Sequence, residues 1–367
     1  MRSDTHIIPL EEIKAAIKTE QDRPTPRYHL GASQIGAECR ADLWHSFHWS
    51  VKAEFDANTH LRFLDGHRSE DVMAEYIRKA GYRLSAVDVD GSQYSFKAFG
   101  GHFAGSLDGI IRGGMPWHKK AGESTIWEHK ACNEKKWKDL ERLGVKCNQE
   151  ALEKWDEVYF AQAQIYMHMR GIKTHWLTCS TPGCRDFTAI LTHYNKGYAQ
   201  AMMAKAEILI GSANVPPKAY KTGDYYKAKF LSSYDLLYRG AIPEPNFRNS
   251  MFSFPIMDAD REDAAWFDDY VGREMTQYDQ NQRPPHHLWM PTFIHYAECV
   301  GVEDNTDKPR WAIYKLPCGH VFYNCQFGME GDNAFNSEEM RWLDAESIKD
   351  PTLRELRRMG ATIEAGK

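Results

Sequence analysis

The sequence predicts a mixed α+β chain whose core runs helix, three strands, helix, strand. Three patterns carry that expectation. A helical period in FLDGHRSEDVMAEYIRKAGY repeats apolar residues at Val72, Met73, Tyr76, Ile77 and Ala80, and Gly81 ends it. Strand-like runs follow over 93–99, 103–111 and 125–130, the last two separated by Gly113, Gly114 and Pro116. Glycine accepts positive φ there, and proline cannot continue a ladder. A long helical run, NQEALEKWDEVYFAQAQIYMHMRG, then precedes two more strands, KTHWLTCS and DFTAILTHY.

The other elements fit around this core. Leu10 to Thr19 reads as a helix, followed by the proline-containing linker QDRPTPRYH. LGASQIGAECRADLWHSFHW reads as a helix opening near Ser33, with Ile35, Cys39, Leu43, Trp44 and Phe47 on one side. NEKKWKDLERLG is a short charged helix, and NKGYAQAMMAKAEILIG is a helix that ends at NVPPKAY. Farther on, a helix is expected over 260–280 and strands over 290–300, 311–314 and 320–325. The expected division is an N-terminal helix and linker over 1–30, a core over 31–220 and a C-terminal extension over 221–367.

Composition narrows the class. The chain has 367 residues, with 42% hydrophobic and 26% charged residues, as in ordinary globular proteins. No run reaches the ~20 apolar residues that span a bilayer. MRSDTHIIPLEEIKAAIK has no apolar core of signal-peptide type, so the expectation is a cytoplasmic protein that needs no membrane. Net charge is −5, so any attraction for a polyanion must be local. His118, Lys119, Lys120 and the lysines from Lys130 to Lys138 are the candidates, although a solvated loop and helix face would read the same way. The eight cysteines are scattered and form no C-x-x-C, which argues against disulfides. Cys318, His320 and Cys325 could hold zinc by type, but their spacing matches no common knuckle, and a hairpin explains it equally well.

The chemistry-bearing residues lie in the core. Side chains alternate along a strand, so Glu128 and Lys130 share one face and His129 takes the other. Asp108 belongs to the preceding strand. Two acids and a lysine at one place in a small sheet suit a hard divalent cation beside a water. On the helix before them, Glu70, Met73 and Ile77 share a face. Glu70 therefore projects from the side that packs on the core, where an unpaired charge is costly and a cation would supply a partner. A half-exposed acid favouring the helix dipole is the plain alternative. His67 lies one turn earlier. Gln162 and Tyr166, four residues apart, stack on one helix face.

In order, Gly66-x-x-x-Glu70, Asp108-Gly109, Glu128-x-Lys130 and Gln162-x-x-x-Tyr166 resemble the motifs of the PD-(D/E)XK nuclease superfamily, in its RecB-type branch. The resemblance covers residues 30 to 210 or so, and Leu107 stands where the superfamily's proline is expected. It implies a restriction-endonuclease-like αβββαβ core, with a mixed central sheet flanked by helices. It also implies a Mg²⁺ or Mn²⁺ site made by Asp108, Glu128, Glu70 and the backbone carbonyl of His129. Lys130 would be the catalytic amine. Gln162, Tyr166 and His67 would form the surrounding shell and contact DNA.

The opening S-x-I-x-x-x-C-R, with Cys39, resembles branch members that carry an iron–sulfur cluster, such as CRISPR-associated nucleases. In those, three cysteines follow the core. The matching positions here are Ala228, Leu231 and Leu237, with Phe247 and Ser250 in a second such stretch. Alanine and leucine cannot ligate iron, so no cluster is expected, and apolar packing would fill the volume. The chain is similar in size and tail to phage-type recombination exonucleases. The expected activity is metal-dependent exonucleolytic hydrolysis of DNA in recombination or end processing, in the host cytoplasm if phage-encoded. A single-strand annealing protein and a homo-oligomer are the partners that the resemblance suggests. A structure-selective endonuclease and a non-cleaving DNA-binding protein are the alternatives. Trp289, Phe293, Tyr296, Trp311 and Phe322 would serve either a nucleic-acid channel or a core.

Overall fold

The computed structural model describes residues 8–21, 27–51, 55–147, 150–212, 214–243, 248, 253–255, 257, 289–291, 311–315, 321–324, 335–336, 341–342, 351–358 and 360–366. In chain order, the elements up to Tyr238 begin with α1 (Ile8–Gln21), β1 (Leu30–Gly31), α2 (Arg40–Phe47), α3 (Ala57–Lys79) and β2 (Leu84–Ser85). Four strands follow: β3 (Ser95–Ala98), β4 (Phe103–Ser106), β5 (Gly109–Arg112) and β6 (Ser124–Ala131). Then come α4 (Glu134–Cys147), α5 (Ala151–Trp155), α6 (Glu157–Arg170), β7 (Thr174–Ser180), β8 (Phe187–His193), α7 (Lys196–Gly211) and α8 (Tyr234–Tyr238).

Two sheets organise them. The larger has the order β2-β5-β6-β7-β8, with β6 and β7 parallel and the other neighbours antiparallel. The smaller has the order β1-β4-β3. The fold is thus mixed α+β, with the helix–strand–helix order that the sequence predicts. The run over 103–111 is not one strand, however. It leaves the small sheet after Ser106 and enters the large one at Gly109, so Leu107 and Asp108 form the joint. The run over 93–99 falls in the small sheet, and the first strand of the large sheet is the two-residue β2, which no periodicity could reveal.

Helices cover both faces of the large sheet. On one, Met73, Ala74 and Ile77 of α3 pack with Leu84, Ile111 and Trp127. Tyr76 and Val72, expected to pack with them, are exposed. On the other, Ala161, Ile165 and Tyr166 of α6 join Ile126, Leu177 and Ile190 in the main core. The α3 helix begins where the Asp56 side chain accepts from the Thr59 amide at 2.7 Å, and stops short of Gly81, whose φ is +92°.

Two expected helices begin or break elsewhere. The segment before α2 is turns rather than helix, and Cys39 takes the N-cap position. A tertiary contact explains this. A β carbon at Gly36 would come within 2.5 Å of the Val158 Cα on α6, so the chain crosses that helix at backbone contact. Ile35, Cys39, Leu43, Trp44 and Phe47 are nevertheless all buried. The long helix over 148–171 is divided at Asp156, which is extended (φ −158°) and caps α6 by accepting from the amides of Val158 and Tyr159.

Cys39 packs in one apolar cluster with Ala41 and Leu237, against Leu231, Val215 and Tyr238, and Ala228 is fully buried. The three positions matched to cluster cysteines are therefore apolar and buried or partly buried, two of them beside Cys39. Phe247, Ser250, Cys299, Cys318, His320 and Cys325 lie outside the described residues, as do the expected helix over 260–280, Phe293 and Tyr296. Strands do occupy Trp289–Pro291, Trp311–Lys315 and Val321–Asn324, the last two antiparallel neighbours. The side chains of Trp289, Trp311 and Phe322 lie outside the described residues. Among the described residues, no helix is long and apolar enough to cross a membrane.

Candidate active site

The middle strand, β6, positions two functional side chains by alternation. Glu128 and Lys130 emerge on the face covered by α6, and the Lys130 Nζ lies 2.5 Å from Glu128 Oε1. The same oxygen accepts from Gln162 Nε2 at 2.8 Å, and Gln162 Nε2 also lies 2.9 Å from the Tyr166 hydroxyl. Gln162 and Tyr166 are both buried. A side-chain relay thus runs from α6 into the sheet: Tyr166, Gln162, Glu128, Lys130. Glu128 Oε2, by contrast, is buried with no hydrogen-bond donor among the described residues.

Asp108 enters from the joint between the sheets. Register pairs Gly109 with Trp127, which sets Asp108 beside Glu128 and His129. Its Oδ2 accepts from the His129 amide at 2.9 Å. Glu70 comes from α3 and is half-buried. It is close enough to Asp108 and Lys130 for their charges to act on it. His67, one turn earlier, is exposed, and its charge bears on Asp108.

Burial and crowding make the acids reluctant to ionise. Burial, then the Asp108 charge, pushes Glu70 up to about 7, with Lys130 opposing. Burial and the same neighbour push Glu128 up to about 8. Asp108 is also raised, chiefly by burial. For Lys130, burial acts against the charged form, but Glu128 and Asp108 outweigh it and hold the ammonium above the ordinary lysine range. Three carboxyl groups that resist ionisation beside one committed cation form a cluster short of positive charge.

The other face of β6 is different. The His129 ring has Nδ1 2.9 Å from Thr178 Oγ1 and Nε2 3.1 Å from Ser180 Oγ, both on β7. Trp127 Nε1 donates to the same Thr178 oxygen at 2.9 Å. Burial, then the Lys130 charge, holds His129 down to about 4, so its ring is neutral at pH 7.

A hard divalent cation is what this donor set implies. Among the described residues no three His, Cys, Asp or Glu side chains converge as a closed ligand set, and Lys130 occupies one oxygen of Glu128. The chemistry still fits. Glu128 Oε2 lacks any donor among the described residues, Asp108 raises both Glu70 and Glu128, and all the available ligands are oxygen.

Two participants escaped the sequence reading. The Tyr159 ring lies 5.7 Å from Lys130 Nζ, and also faces Lys136 at 5.0 Å. Its spacing from Gln162, three residues along the same helix, is a signal that was there to use. Thr178 Oγ1, 3.3 Å from the Glu128 carbonyl oxygen, had no sequence signal. The basic run after β6 is largely paired: Lys136 with Asp156 at 2.7 Å and Lys138 with Glu134 at 2.5 Å.

No family model matches the sequence, and neither does any curated protein. Among solved structures, an alkaline exonuclease (LHK-Exo) from Laribacter hongkongensis is similar at 14% identity and TM-score 0.34, over 54% of this chain and 90% of that one. The same exonuclease in complex with dAMP gives 15% and 0.32, over the same shares of 54% and 90%. A phage-related exonuclease from Haemophilus somnus 129PT gives 12% and 0.29, over 40% of this chain and 68% of the other. Likenesses this distant do not assign an activity, which has to be argued from the site.

Proposed function

We propose that this chain is a Mg²⁺- or Mn²⁺-dependent deoxyribonuclease of the PD-(D/E)XK superfamily, acting as an exonuclease in recombination or end processing. One observation carries the reading. The buried relay Tyr166–Gln162–Glu128–Lys130 stands beside Asp108, and one oxygen of its central acid has no donor. A buried acceptor without a donor costs about 1–3 kcal/mol, which a cation bound beside Asp108 would offset.

Each residue then has a task. Asp108, Glu128, Glu70 and the His129 carbonyl would hold the cation, which when bound supplies charge neutralisation at the phosphate and a more acidic water. Gln162 fixes the Glu128 carboxylate in one orientation, and Tyr166 fixes Gln162. The His129 amide fixes Asp108. Lys130, already held in its charged form by two carboxylates, orients the water and meets negative charge developing on the phosphoryl oxygens.

Incubation of linear and circular plasmid with Mg²⁺ or Mn²⁺ tests the proposal. Loss of linear DNA alone is the expected result. Nicking of circles would indicate a structure-selective endonuclease, and retarded DNA without products a binder. The variants Asp108→Ala and Lys130→Ala should abolish cleavage in a folded chain; full activity in either overturns the assignment.

A further inference from the structure

The α3 helix continues past Glu70 toward its N-terminus with features that the proposed chemistry does not use. Phe63, His67 and Glu70 fall at i, i+4 and i+7, on one stripe of the helix. Phe63 is 49% exposed and meets Phe55, itself 42% exposed, edge-to-face at 5.3 Å. Two large aromatic rings displayed to solvent beside a polar site suggest a ligand with flat, stackable faces.

Gly66 lies on the same stripe, between Phe63 and Glu70. Glycine is the poorest helix former after proline, yet here φ is helical and a β carbon would meet nothing within 4 Å. Neither backbone conformation nor packing among the described residues requires it. What a bare helix surface offers is close approach from outside. His67 stands beside this bare patch, near enough to Asp108 for its charge to act there.

We infer that the N-terminal half of α3 is a nucleotide-binding groove, in which a DNA strand passes its sugar–phosphate over Gly66 and stacks a base on Phe63, with the perpendicular Phe55 ring against the base's edge. This rests on the nuclease reading and deepens it, by extending the site along the strand. Seven residues of helix span about 10.5 Å, or about three rises of a stacked strand at ~3.4 Å each. The stacked base should therefore lie about three nucleotides from the phosphate at Glu70.

The test uses the full chain and oligodeoxynucleotides carrying 2-aminopurine at successive positions from one end. Bound in EDTA, the wild type should quench one position, about three from the cleaved bond, and Phe63→Ala should abolish that quench. Phe63→Ala should raise KM for oligonucleotides about 5- to 150-fold, the range for losing one base stack. It should leave kcat, and hydrolysis of bis(p-nitrophenyl) phosphate, little changed. That ester is too short to reach the rings. Gly66→Ala and Gly66→Leu give the sharper contrast. Both should raise the melting midpoint, by about 2 °C for alanine, while KM climbs with side-chain size. A residue with only a structural role could not improve stability and impair binding together. If the wild type cleaves DNA and all three variants keep its KM, the groove is refuted and the nuclease reading stands. If the wild type neither cleaves nor binds DNA, both fall.

Discussion

The two faces of β6 hold similar polar cargo and treat it in opposite ways. On the side of α3, Trp127 and His129 are buried, and every ring nitrogen has a hydroxyl partner on β7. Toward α6, Glu128 is as deeply buried, but one oxygen is left without a donor and its carboxyl is pushed up to about 8. Satisfied burial holds strands together. At Glu128, the proposed function makes unsatisfied burial an affinity for a cation. The difference separates scaffold from proposed chemistry within one eight-residue strand.

The contrast can be broken from either side. Glu128→Gln should lower cleavage by about 10³-fold or more, because it would remove the charge of a proposed cation ligand and the counter-charge of Lys130 together. Steady-state assays on linear DNA measure this. Gln162→Ala, which only releases Glu128 from its orientation, should cost about 10- to 100-fold. On the other face, Thr178→Val should leave the pH dependence of cleavage unmoved and cost about 1–3 kcal/mol of stability. It strips the partner from both the Trp127 and His129 nitrogens. If Thr178→Val instead shifts the pH profile, the two faces are not separable.

A smaller effect should appear in melting. Glu128 is raised from its ordinary value of 4.5 to about 8. Between those values the folded chain keeps a proton that the unfolded chain has lost. Stability without metal therefore falls as pH rises through this interval. A divalent cation held as proposed would bind the ionised acids, so Mn²⁺ should raise the melting midpoint more at pH 8.5 than at pH 5. Equal gains at both would remove the link between the raised acid and the ion.

Parts of this were legible in residues alone. Period two placed Glu128 with Lys130, and four-residue spacing placed Gln162 with Tyr166, because each rule concerns neighbours within one element. The joint at Leu107–Asp108 was not legible: FAGSLDGII is uniformly strand-like, and only the pairing partners show that it belongs to two sheets. The turns before α2 were equally hidden, since they follow from Gly36 meeting α6, over 120 positions away. Asp156 was readable in principle as a capping residue inside a helical run, but the continuous period across it masked the break.

The small sheet carries none of the proposed chemistry and yet touches the site twice. Its β4 strand leads directly into Asp108, and at Gly105 a β carbon would come within 2.8 Å of the Tyr166 ring. Gly105→Ala should therefore slow cleavage in a chain that still folds, by nudging the far end of the relay. The accuracy of the proposed centre is then delegated to a three-stranded foundation that supplies none of its site residues. Wear in that foundation would surface as lost catalysis rather than as lost structure.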